Sequence, residues 1–267
     1  MDISSLGFRT DVMVLALGES AIEHHDRHLV ARTPRNPTYW WGNFVLFADP
    51  VGTGEVDERL ELFAAAFPDA GHVALGIDSV DGTVGDEDEL VRTGFEVSRD
   101  TVLTASSLRP PAREADAELR MLAGEDDWRQ AFELRTACLP ADDDHYSERF
   151  VRAHIAASRA LCESGSGRWF GAFEGGALRA ALGIVADGDG LARYQMVETH
   201  PEARRRGLAT SLVHLAGTTV LDDGATTLVI LADPGYHAID VYRSLGFVER
   251  ETKVELTRRT AGPRKEP

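Results

Sequence analysis

The stretch VETHPEARRRGLAT, Val197 to Thr210, decides how this sequence is interpreted. It joins the end of a predicted strand to the first turn of a predicted helix. A helix start presents unpaired backbone N–H groups and the positive end of the helix dipole, which together favour a phosphate. Gly207 lets the backbone approach an anion closely, and the arginines Arg204 to Arg206 add positive charge. A pyrophosphate fits this arrangement.

The residues alone leave a second interpretation open. A run of charged side chains is also typical of a solvated helix face. Neither the dinucleotide-binding motif G-x-G-x-x-G nor the P-loop motif G-x-x-x-x-G-K-[ST] occurs at this point of the chain. A Rossmann or P-loop phosphate site is therefore excluded here.

Hydrophobic periodicity and turn residues predict alternating strands and helices around this stretch. In chain order we predict a strand at 10–17, a helix at 21–32, a strand within 38–50, a helix at 55–67, a strand at 72–78, a helix at 86–96, strands at 97–106 and 118–122, helices at 126–136 and 147–163, a hairpin broken at Gly175-Gly176, a strand at 192–199, a helix at 202–221, a strand at 226–233, a helix at 236–245 and a strand at 248–257.

The two halves of the chain show the same order of elements. The proline after a strand recurs as Pro50 and Pro201, and a Gly-Phe pair recurs at Gly94 and Gly246. Because these spacings agree to within one residue, they indicate a duplicated α/β unit. The proline-containing segment 109–116 is the predicted linker. We therefore expect two domains, 1–112 and 113–267, each with a mixed central sheet flanked by helices.

Composition excludes several classes of protein. With 44 acidic and 28 basic residues the net charge is −16, so a nucleic-acid or anionic-membrane partner is not expected. The two cysteines, Cys138 and Cys162, form no disulfide framework or metal-type spacing. Because no signal peptide or apolar span is evident, we expect a cytoplasmic protein.

Three histidines, His24, His25 and His28, fall on the predicted helix at 21–32. At that spacing they could hold a metal or form a solvated helix face. No other cluster of ligand residues lies nearby in the sequence, so we predict no metal site.

Two motifs resemble the GNAT N-acetyltransferase superfamily. Arg204 to Ala209, RRRGLA, matches its [Q/R]-x-x-G-x-[G/A] signature, and Ala238 to Phe247, AIDVYRSLGF, is similar to its second signature. The resemblance covers roughly residues 117–258. It implies direct transfer of an acetyl group from acetyl-CoA, the co-substrate, to a primary amine, without a metal.

The resemblance also implies roles for individual residues. Tyr242 would protonate the departing thiolate, although a helix tyrosine can also simply pack on a core. The backbone of the arginine-glycine loop would bind the CoA pyrophosphate, and the preceding strand would splay from its neighbour and pair with the pantetheine arm. The implied cofactor-binding residues are Val197, Glu198, Thr199, Arg204, Arg205, Arg206, Gly207, Leu208, Ala209 and Thr210.

The sequence departs from the family pattern at two positions. Gly235 stands where many members carry an asparagine. Arg193 stands where many members carry a glutamate that acts as the general base and deprotonates the amine. Glu198 and His200 lie nearby, but simple strand alternation would turn Glu198 away from the substrate. The alternative function is therefore a catalytically silent CoA-binding sensor or scaffold.

The first half is predicted to be a degenerate copy that does not bind CoA. Its loop VGTGEVDER places Glu55, Asp57 and Glu58 at a helix start, where they repel a pyrophosphate. No tyrosine precedes Gly94-Phe95 on its helix.

The acceptor is expected to be a small-molecule amine. Residues Asp142 to Tyr146, DDDHY, could attract and stack against a cation, or could simply form an acidic loop with Ser147 as a helix N-cap. The sequence leaves the identity of the acceptor and the oligomeric state open.

Overall fold

The computed structural model describes residues 1–140 and 147–259, which form two compact units. Unit 1 contains residues 1–102 and the segment that begins at Arg250, and unit 2 contains residues 103–249. The helices are α1 Leu6–Leu17, α2 Val56–Ala66, α3 Glu87–Arg92, α4 Gly124–Cys138, α5 Glu148–Glu163, α6 Leu208–Asp222 and α7 Ala238–Ser244. The strands are β1 Ala21–His24, β2 His28–Arg32, β3 Phe44–Phe47, β4 His72–Ile77, β5 Glu96–Ala105, β6 Glu118–Met121, β7 Gly167–Glu174, β8 Ala177–Ala186, β9 Leu191–Thr199, β10 Thr227–Ala232 and β11 Val248–Arg259.

Unit 1 is built on a mixed sheet with the strand order β1-β2-β3-β4-β11-β5. β3 and β4 are parallel, whereas β1, β2 and β3 pair antiparallel in sequence, as do β4 and β11. A core of its own includes Phe8, Phe44 and Leu75, which are at most 1% exposed.

Unit 2 has the strand order β10-β9-β8-β7-β6. β6 to β9 are antiparallel, and β9 and β10 are parallel. Its separate core includes Leu182, Leu212 and Leu228, which are fully buried. The predicted fold class, α/β with mixed sheets flanked by helices, is confirmed.

The segment from Arg250 belongs to unit 1, whereas the predicted domain 113–267 included it in the second domain. The reason is strand pairing: β11 runs antiparallel to β4, from Val254 opposite Ile77 to Arg259 opposite His72.

The predicted strand at 10–17 is wrong, because these residues belong to α1. The side chain of Ser5 accepts a hydrogen bond from the N–H of Phe8 and so caps the helix start. The N–H of Gly18 closes the other end on the carbonyl of Val14. The apolar run was ambiguous, but these two caps mark a helix.

The predicted helix at 21–32 is also wrong, because these residues form the hairpin of β1 and β2. Ala21 pairs with Arg32, and Glu23 and Arg32 form an ion pair across the two strands. His24, His25 and His28 therefore lie at the tip of a hairpin. Among residues 1–140 and 147–259, no group of three or more His, Cys, Asp or Glu is arranged to hold a metal ion.

Most other predicted elements are present with small shifts in their bounds. The helix predicted at 86–96 ends at Arg92, and the helix predicted at 202–221 begins only at Leu208, after a short 3-10 turn over Pro201–Ala203. Within the part of the chain that the structure describes, no helix is long and apolar enough to cross a membrane.

Candidate active site

The start of α6 leaves its first N–H groups available. Gly207 precedes the helix in the left-handed conformation, with φ of 82°, and provides no side-chain cap. The N–H of Ser211 is bonded to the carbonyl of Gly207 at 3.0 Å. The N–H groups before it therefore have no partner within the helix, as at any helix N-terminus. Arg205, with φ of 60°, also lies in the left-handed region. These two positions turn the chain and delay the helix to Leu208.

Strand β9 separates from β10 before it ends. The register of the two strands runs from Leu191 opposite Thr227 to Arg193 opposite Val229, and β9 then continues to Thr199. Met196 has φ of 49°, and the register of β9 with β8 shifts at the same place. The strand therefore carries a β-bulge, and its edge beyond Arg193 is open, as the predicted splay requires.

A cavity of about 410 Å³ joins the open edge of β9, the start of α6 and the start of α7. Every residue predicted for the site lies on its wall: Val197, Glu198, Thr199, Arg204, Arg205, Arg206, Gly207, Leu208, Ala209, Thr210 and Tyr242. Sequence reasoning did not name six further lining residues: Cys138, Ala203, Tyr236, His237, Ala238 and Val241. Ala238 and Val241 lie within the second motif, and Ala203, Tyr236 and His237 lie beside the two motifs, so proximity to the motifs could have found five of the six.

Tyr242 is buried in α7, with 5% of its surface exposed. Its ring meets Phe247 edge to face, with ring centroids 6.2 Å apart. Burial, helped by the nearby Tyr236, raises the pKa of Tyr242 to about 12. The phenol therefore keeps its proton at neutral pH.

The three arginines are not equivalent. Arg206 Nη1 donates to Glu174 Oε2 at 3.0 Å, so a carboxylate already offsets its charge. Arg204 Nε donates to the carbonyl of Thr199 at 3.4 Å, which ties the loop to the end of β9. The net positive charge at this helix start is consequently smaller than the sequence indicates.

A buried ion pair joins β9 to α4. Glu198 Oε1 binds Arg135 Nη1, and the two side chains are 10% and 18% exposed. Burial raises the pKa of Glu198, and the charge of Arg135 opposes that rise. On the same helix, Cys138 Sγ donates to the carbonyl of Thr199 at 3.5 Å. No local motif could have indicated the ion pair of Arg135 and Glu198, because the two residues are 63 positions apart in the sequence.

The two departures from the family pattern have clear structural settings. Arg193 is 7% exposed, and its Nε donates to the carbonyl of Tyr194 at 3.2 Å. Gly235 N–H donates to Asp233 Oδ1 at 2.7 Å.

The acidic acceptor segment, Asp142 to Tyr146, lies outside the described residues. Ser147, which follows it, caps α5, because its Oγ accepts a hydrogen bond from the N–H of Phe150 at 3.3 Å. The predicted N-cap is therefore confirmed.

In unit 1 the corresponding loop binds the protein's own carboxylates. Gly52 N–H donates to Glu55 Oε2 at 3.0 Å, and Gly54 N–H donates to Glu89 Oε2 at 2.7 Å. Its strand β3 remains paired with β4 up to its last residue, Phe47. In this loop two glycine N–H groups are therefore bound to carboxylates, and the strand lacks the open edge that unit 2 has.

Comparisons with known proteins agree with this geometry. Residues 128–247 match the model of the Acetyltransferase (GNAT) family, so the chain carries a GNAT acetyltransferase domain, which lies within unit 2. Members of this family are acetyl-CoA-dependent acyltransferases. No curated protein matches the sequence.

Several solved structures share the fold. A GCN5-related N-acetyltransferase from Kribbella flavida is 19% identical, with 96% of each chain covered and a TM-score of 0.66. One from Sphaerobacter thermophilus is 14% identical, with 89% of this chain and 82% of that chain covered and a TM-score of 0.60. A tandem GNAT protein from the clavulanic acid biosynthesis pathway is 17% identical, with 94% and 88% covered and a TM-score of 0.54. At these identities the likeness concerns the fold.

Proposed function

We propose that unit 2 transfers the acetyl group of acetyl-CoA directly to a primary amine of a small cationic acceptor. The observation that supports this is the single cavity that joins the uncapped start of α6, the open edge of β9 and the buried Tyr242. Acetyl-CoA, when bound, supplies the thioester.

The helix start and the strand edge would hold the cofactor. The N–H groups from Gly207 to Thr210 would donate to the pyrophosphate, with Arg204 and Arg205 adding charge. The backbone of β9 from Val197 to Thr199 would pair with the pantetheine arm, because that edge is not paired with β10. The carbonyl of Thr199 already accepts a hydrogen bond from Cys138, so it would contribute least to binding of the pantetheine arm.

Tyr242 would act as the general acid. The amine nitrogen attacks the thioester carbonyl carbon, the new C–N bond forms, and the C–S bond breaks. Tyr242 Oη would donate its proton to the departing sulfur, the nitrogen would lose a proton to water, and water would return a proton to Tyr242. The raised pKa of Tyr242 keeps the phenol protonated before each turnover.

The acceptor is proposed to be cationic because the chain carries a net charge of −16. Such a field attracts small cations and repels polyanions. We further propose that unit 1, a degenerate copy of the same unit, does not bind CoA, because Glu55 and Glu89 already bind the N–H groups of its loop.

A thiol-release assay over a panel of polyamines, amino acids and aminoglycosides tests this proposal. The wild type should release CoA with at least one amine and form the acetylated amine. Tyr242→Phe should lower kcat by about 100-fold, since general acid catalysis contributes about that much or more. Tyr39→Phe, in unit 1, is the matched control and should match the wild type. An unchanged rate in Tyr242→Phe would show that Tyr242 is not the acid.

A catalytically silent CoA-binding protein is the second candidate. It is supported by the buried Arg193, which stands where related enzymes carry a glutamate. In that case calorimetry would show binding of acetyl-CoA, and no amine in the panel would release free thiol.

A further inference from the structure

We infer that Glu198 is the proton acceptor for the attacking amine and that Arg135 is the residue that positions it. The inference rests on the proposed transfer and names a base for it. Among the described residues on the cavity wall, Glu198 is the only carboxylic acid. Its carboxylate can therefore accept a proton, which the guanidinium group of Arg193 cannot do.

The bulge in β9 gives Glu198 its orientation. Without it, residues 194 and 198 would share one face of the sheet, because side chains alternate along a strand. The hydroxyl of Tyr194 donates to the carbonyl of Val213 on α6 at 2.7 Å, whereas Glu198 binds Arg135 on α4. The extra residue at Met196 thus reverses the alternation and corrects the expectation that Glu198 faces away.

Two titratable groups near the ion pair of Glu198 and Arg135 are unsuited to the role of base. Burial and the charge of Glu198 raise the pKa of Cys138 to about 11, so it is a neutral thiol. Burial and the charge of Arg135 lower the pKa of His154 on α5 to about 4, so it is a weak base. Arg204, which follows β9, is a cation that holds no lone pair for a proton.

The proton balance of the step is simple. The ammonium group of the acceptor gives one proton to a Glu198 carboxylate oxygen, and the freed lone pair attacks the thioester carbon. As the C–N bond forms and the C–S bond breaks, the nitrogen loses its second proton to water and the sulfur gains one from Tyr242. Tyr242 then takes a proton back from water. Glu198 then returns its proton to solvent. Burial raises the pKa of Glu198, and the charge of Arg135 opposes that rise and so favours the ionised carboxylate.

Steady-state kinetics against pH test this assignment with the amine that the wild type acetylates fastest. Glu198→Gln should lower kcat/KM by about 100-fold, consistent with loss of a general base, and should leave the Kd of acetyl-CoA unchanged. Glu198→Asp should retain part of the activity. Glu133→Gln, which removes an exposed carboxylate from α4, should match the wild type.

Arg135→Gln separates a catalytic role from a structural one. Without the opposing charge of Arg135, burial alone acts on Glu198 and raises its pKa further. The acidic limb of the profile of kcat/KM against pH should therefore move to higher pH, and activity should recover at alkaline pH. A purely structural ion pair would lower activity at every pH by the same factor.

The outcomes distinguish this inference from the proposed function. An active wild type with Glu198→Gln within twofold of it, or an unmoved acidic limb in Arg135→Gln, would overturn the assignment alone. A wild type that acetylates no amine would contradict the proposed function, and the assignment with it.

Discussion

At the scale of single residues, the sequence identified most of the cavity wall but not its ion pairs. The motif around Gly207 and the tyrosine before Gly246 could be recognised because their spacing is local. The pairing of Arg206 with Glu174 and of Arg135 with Glu198 could not, because the partners are 32 and 63 residues apart and meet only in the folded chain. The charge on Arg206 was consequently overestimated from the sequence.

Gly207 allows a prediction at this scale. Its φ of 82° is unfavourable for alanine, and its surroundings are open, with the nearest contact of an added Cβ at 3.7 Å. Gly207→Ala should therefore cost about 1 kcal/mol of stability and weaken acetyl-CoA binding. Gly188→Ala, at φ of 83° with no atom within 4 Å, should show the same loss of stability in chemical denaturation and unchanged binding in calorimetry. Equal acetyl-CoA affinities in both variants would contradict a role for the Gly207 turn.

At the scale of elements, the strongly periodic segments were predictable and the short apolar ones were not. α5, with its Ser147 cap, and the β7–β8 hairpin follow the predicted bounds closely. The segment 21–32 was mistaken for a helix because its turn, His25 to Arg27, lacks a typical Asn-Gly signal. What selects the hairpin is burial of Leu29, Val30 and Ala31 against neighbouring strands, which is a tertiary effect.

The β7–β8 hairpin carries a prediction about packing. Trp169 lies opposite Gly183, and a Cβ at Gly183 would lie 2.4 Å from the indole ring. Gly183→Ala should therefore overpack this part of the core and lower the free energy of unfolding by roughly 1–3 kcal/mol. Gly71→Ala, where no atom lies within 4 Å, should change it little. Urea denaturation measures both, and an unaffected Gly183→Ala would show that Trp169 can move aside.

At the scale of the whole molecule, the repeated order of elements was visible in the sequence, but the membership of the last strand was not. β11 pairs with β4 between residues more than 170 positions apart, and no local pattern encodes that pairing. The loop after β3 in unit 1 differs from the loop before α6 in unit 2. The sequence indicated this difference only through the negative charge of the unit 1 loop. Two of its glycine N–H groups are bound to Glu55 and Glu89, although α2, like α6, begins without a side-chain cap.

The number of acetyl-CoA molecules bound per chain tests the account most directly. Isothermal titration of the wild type should give one site per chain, and Gly207→Ala should weaken that single site. Two sites per chain would show that unit 1 binds the cofactor despite its carboxylates. The absence of binding would contradict the assignment of the cavity in unit 2.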